Sequence, residues 1–149
     1  MAKGGLAVGI KTWLRKQMAL NAKRKRETAH HFDRQQVIQK KIQRVWSAEL
    51  DLGKVNKMLD PILRGLPDEL KSAKPDLERI NKCVTLLNSR IGSRGRMVSE
   101  IEKALRTARK IDYPMPSIEA FKKATEELIE TDQLILECIQ RWKKKTGQE

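Results

Sequence analysis

Residues 21–32, NAKRKRETAHHF, hold two kinds of side chain that could do chemistry. Lys23, Arg24, Lys25 and Arg26 are consecutive cations, and His30 and His31 follow, with Asp33 close behind. Three potential metal ligands in four positions invite a metal reading. Adjacent residues on a helix, however, point about 100° apart, and no further His or Cys cluster completes a shell, so no metal site is assigned. Closely spaced cations do a different job: they neutralise phosphates and release counterions. Trp13 or His30 can then stack on an unpaired base.

A second basic stretch, NSRIGSRGRM, carries Arg90, Arg94 and Arg96 around Gly92 and Gly95. The spacing predicts a tight turn whose glycines let backbone approach a phosphate while the guanidiniums hold it bidentately. Lys40, Lys41 and Arg44 share one helical face. The residues expected on RNA are therefore Lys11, Arg15, Lys16, Lys23, Arg24, Lys25, Arg26, Arg34, Lys40, Lys41, Arg44, Arg90, Arg94 and Arg96. Catalysis finds no support. There is no GxSxG, P-loop or HExxH, and the carboxylate pairs Asp68/Glu69 and Glu126/Glu127 sit in charged surroundings. The chain reads as a non-enzyme with no cofactor and no small-molecule substrate.

Charge supports a polyanionic partner. Among 149 residues, 32 Lys and Arg face 19 Asp and Glu, a formal net charge of +13. Residues 1–50 hold 12 of the cations and only 3 acids. Leu, Ile, Val and Phe nevertheless make up 36 residues, about a quarter of the chain, which exceeds the roughly 20% below which chains stay disordered. A folded but thin core follows. Cys83 and Cys138 have helix-forming neighbours and no metal spacing, and both are expected as reduced core thiols.

The elements that must position these residues are helices. All five prolines fall in a few clusters, and the intervals show three-and-four apolar spacing rather than alternation, so the class is all-α. Ile38, Ile42, Val45, Leu52, Val55 and Leu59 lie toward one side of a helical arm or hairpin, with a break near residues 30–33. DPILRGLPDELKSAKPD reads as an irregular connector. A helix from Pro75 ends at Gly92, a second runs through Val98 to Ile111, and a third is capped by Ser117. In the third, Phe121, Leu128, Ile135 and Trp142 recur every seven residues, with Ala124, Thr131 and Cys138 as companions. Its other face is acidic, and Glu126, Glu127, Glu130, Asp132 and Glu137 are expected on a basic neighbouring protein. The expected organisation is a basic N-terminal extension (1–34), a helix plus connector (35–74) and a small antiparallel three-helix bundle with a long C-terminal helix (75–149).

Residues 1–26 contain no acid. On a helix, Leu6, Ile10, Trp13, Leu14 and Met18 form an apolar stripe opposed by Lys11, Arg15 and Lys16, the pattern of a mitochondrial import signal without its usual serines. KRKR would also serve nuclear import. No run reaches the eighteen or so apolar residues of a membrane span. In this organisation the chain resembles the small basic, arm-bearing α-helical proteins of mitochondrial ribosomes. That resemblance implies an rRNA-binding structural constituent in the mitochondrial matrix, touching RNA and neighbouring proteins. The competing expectation is an accessory or assembly subunit of a mitochondrial membrane complex, its amphipathic start lying on anionic lipid. A DNA-binding role would lack any helix-turn-helix or zinc pattern.

Overall fold

The computed structural model describes the backbone of residues 2–148; the side chains of residues 2–8 and 28–31 lie outside the described set. Among the described residues there are three helices, α1 (Ala2–Lys71), α2 (Leu77–Lys110) and α3 (Pro116–Thr146), and no strand. The all-α class expected from the spacing is the class observed. Contacts divide the chain into two units, Met1–Val37 and Ile38–Glu149.

In the second unit, a buried line recurs every seven residues of α1, Ile38, Val45, Leu52, Leu59 and Leu66, joined by Ile62. On α2 the buried positions step by three and four through Ile80, Cys83, Leu87, Arg90, Arg94, Met97, Ile101, Ala104 and Ala108. This is coiled-coil spacing, which keeps one seam of each helix against its neighbours. The seams meet in three apolar clusters. Leu59, Ile62 and Leu66 pack with Ile80, Cys83, Leu87 and Ile139. Val45 and Leu52 pack with Met97, Ile101 and Leu105, flanked by Ile118 and Phe121. Ile38 packs with Ala104, Ala108 and Ile111. Late α1 thus meets early α2 and late α3, so α2 runs antiparallel to both other helices.

The connector expected at residues 60–76 is mostly helix, because α1 continues through Pro61 and Pro67. Each proline costs an isolated helix about 3 kcal/mol through a lost N–H and a clash with the preceding turn. Burying Leu59, Ile62 and Leu66 returns roughly 1.5–3 kcal/mol each, together of the same size as the cost of both prolines. Both prolines are exposed, so the rings themselves meet solvent rather than the core. The turn expected at Gly92–Gly95 is likewise absent. α2 passes through both glycines, and the expected two helices are one.

Ends are set by local chemistry. Asp76 caps α2, its Oδ1 accepting from the Arg79 N–H at 3.2 Å, and its own N–H donates to Glu69 Oε1. Ser117 is not the cap of α3; Met115 holds that position without a side-chain bond, and Pro116 begins the helix. Trp142 Nε1 donates to the Leu70 carbonyl at 2.8 Å, tying the end of α3 to the end of α1. The rings of Trp46 and Phe121 meet at a 52° tilt with centroids 4.9 Å apart, joining α1 to α3 near the other end.

Candidate nucleic-acid interface

In the first unit, every described cation from Lys11 to Arg26 is exposed: Lys11, Arg15, Lys16, Lys23, Arg24, Lys25 and Arg26. Arg34 is half-buried. A helix presents such side chains around a cylinder, and their long stems reach outward with the charge in water. The side chains of His30 and His31 fall outside the described residues.

The second unit brings Arg44 of α1 and Arg96 of α2 to one cleft of about 370 Å³. Val45, Ala48, Leu52 and Met97 form its apolar floor, with Asp51, Ser93 and Glu100 on its walls. Arg96 Nη2 donates to Ser93 Oγ at 3.3 Å. Glu100 is engaged by Lys41 and Lys103, each at 3.5 Å. Burial opposes ionisation of Glu100, but the two lysines outweigh it and hold the carboxyl below its ordinary value. Lys41 is therefore partly committed inside the protein, whereas Lys40 and Arg44 are exposed. The exposed cations converging on the cleft are the two arginines.

Arg90 and Arg94 are not on this surface. Expected at an open turn, they lie inside the helix packing, 8% and 5% exposed, facing Asp132 of α3, which is 2% exposed. Arg90 Nε donates to Asp132 Oδ2 at 2.8 Å and its Nη2 to Oδ1 at 2.6 Å, a bidentate fork. Its Nη1 donates to Asn56 Oδ1 of α1 at 2.9 Å. Arg94 Nη1 adds a longer bond to Asp132 Oδ2 at 3.4 Å, and Arg94 Nε is buried without a partner. The layer thus holds two guanidiniums for one carboxylate. Burial, then the charge of Arg90, pushes Arg94 below its ordinary value; Asp132 and Glu49 pull the other way.

The acidic surface expected on α3 is corrected in the same way. Asp132 belongs to the interior, while Glu126, Glu127, Glu130 and Glu137 are exposed. Two of these have partners on their own helix, Glu126 with Lys122 at 3.6 Å and Glu137 with Arg141 at 3.7 Å. Of the heptad line expected for α3, Phe121, Ile135 and Trp142 pack against the core and Leu128 is exposed, and the companion line lies one position later than expected. Ala124, Thr131 and Cys138 are exposed, and Thr125, Asp132 and Ile139 are buried. Thr125 tolerates this because its hydroxyl donates to the Phe121 carbonyl at 2.8 Å. Only Cys83 of the two expected core thiols is buried. Cys138 instead borders an open apolar groove with Leu63, Leu66, Leu70, Leu134 and Ile135.

Sequence reasoning missed Asn56, Ser93 and the interior role of Asp132. A signal existed: Arg90 lies seven residues from both Cys83 and Met97, and Asp132 seven from both Thr125 and Ile139. Among the described residues no helix is long and apolar enough to cross a membrane. No protein-family model matches the chain, and comparison with curated proteins and with solved structures gives no significant match.

Proposed function

We propose that this protein is a non-catalytic structural constituent of a ribonucleoprotein, an rRNA-binding protein of a mitochondrial ribosome. The observation that carries the reading is the unbroken exposure of the cations from Lys11 to Arg26 in a segment free of acids. Such a helix gains affinity by releasing the counterions condensed on phosphates, and it positions the protein without reading base sequence. In the second unit, Arg44 and Arg96 offer a separate anchor, since two guanidiniums at one cleft suit a phosphate better than isolated lysines do. The exposed acids of α3, Glu127 and Glu130 foremost, would face a basic neighbouring protein. The mitochondrial matrix enters through the acid-free amphipathic N-terminal segment and the resemblance in organisation.

The test is gradient sedimentation of the tagged chain from an organelle lysate, with and without ribonuclease, at moderate and high salt. Co-migration with a ribosomal subunit that ribonuclease abolishes is the expected result. A ribonuclease-insensitive complex that detergent disperses would overturn it in favour of an accessory subunit of a membrane complex.

A further inference from the structure

Phosphate binding leaves one feature of the first unit unused. Ile10, Trp13, Leu14, Met18 and Leu20 are all exposed on α1, Trp13 at 59% and Met18 at 70%. At about 100° per residue these five fall within an arc of roughly 160°, which holds two polar residues as well, Gln17 and Asn21. The opposite arc carries Lys11, Arg15, Lys16, Lys23 and Arg26. A face built only to meet RNA phosphates has no use for aliphatic side chains, which find neither a stacking partner nor a charge there. Free in water, the face would be an exposed apolar patch, of the kind that marks an interaction site.

We infer that residues 10–20 of α1 lie in the interface of an anionic lipid bilayer, apolar face down. Charge selects this occupant. Cations flank the stripe at its edges, where Lys11 and Lys16 reach headgroups, and there is no carboxylate before Glu27 to repel an anionic leaflet. The indole of Trp13 suits the headgroup level, with an apolar ring and a polar N–H. Arg24 and Lys25 return to the apolar side of the wheel one turn after Leu20 and end the lipid-facing stretch. This stretch takes Lys11, Arg15 and Lys16 of the proposed RNA reading for lipid headgroups, and Lys23, Lys25 and Arg26 lie beyond it, so lipid and RNA would use successive parts of one helix.

The test uses the full chain with vesicles of phosphatidylcholine, alone or mixed with phosphatidylglycerol, read by tryptophan emission and by co-sedimentation. The expected result is a blue shift on the mixed vesicles only, lost in Trp13→Phe, which keeps Trp46 and Trp142 as internal controls. Replacing Leu14 and Met18 together by Asn keeps every charge and should lower the partition coefficient roughly tenfold or more. Unchanged partitioning of that variant would mean adsorption by charge alone and would overturn the inference. So would a Trp13 shift that appears with structured RNA and not with vesicles. A shift that grows with protein concentration in the absence of lipid would assign the face instead to a second copy of the chain.

Discussion

Arg90 and Asp132, 42 positions apart, form a two-pronged ion pair in the interior of the helix packing, at 2.8 and 2.6 Å. The pair crosses from α2 to α3, and Asn56 extends it to α1. Two charges withdrawn from water gain little net stability over well-packed apolar residues, but removing one partner leaves the other buried and uncompensated. The layer therefore acts more strongly on register, because sliding any helix by one residue would separate these groups.

Asp132→Ala is expected to destabilise the second unit by about 3–5 kcal/mol, since it strands two guanidiniums. Arg94→Met should be close to neutral or stabilising, because it removes an unpartnered buried Nε and the excess positive charge while keeping the aliphatic stem. Urea unfolding of the two variants decides this. Equal losses would contradict the asymmetry in the geometry.

Gly92→Ala and Gly95→Ala should each raise stability by about 0.5–1 kcal/mol, the helix-interior difference between the two residues. A Cβ at Gly92 would meet only Arg96 Nη1 at 3.8 Å, and one at Gly95 would meet nothing within 4 Å. Thermal unfolding gives the sign. A fall in RNA affinity in either variant would restore a close backbone approach to phosphate.

The two thiols should separate by reactivity. Cys138 is exposed and is expected to react with a disulfide reagent at neutral pH within the mixing time of slow assays, whereas Cys83 should react only through unfolding. Burial, partly offset by Arg90 and reinforced by Asp132, raises the Cys83 thiol above its ordinary 9.0. A raised folded-state value makes its contribution complete below the unfolded value and lost as pH climbs through the folded one. Stability should consequently fall above about pH 9, and less steeply in Cys83→Ala than in the parent.

Replacing Lys23, Arg24, Lys25 and Arg26 by Ala should weaken RNA binding similarly across sequences. The slope of log affinity against log salt should become shallower by about 3, the release of most of four counterions. Filter binding at several salt concentrations measures it. An unchanged slope would remove the cluster from the RNA reading.

Much of the frame was legible in the residues. Ile38, Val45, Leu52 and Leu59 announce a buried helical seam because apolar side chains seven apart can share one face only on a helix. The concentration of net positive charge before residue 50, where acids are scarce rather than cations abundant, is a property of composition and needs no coordinates. What the tertiary structure alone decided was the treatment of residues whose local preference and final surroundings disagree. Pro61 and Pro67 argue for a break, yet α1 runs through both with Leu59, Ile62 and Leu66 packed in the core. Arg90, Arg94 and Asp132 read as solvent or phosphate contacts because an isolated charge is costly to bury. Only the approach of α2 to α3 supplies each with its opposite, and that approach depends on residues more than thirty positions away.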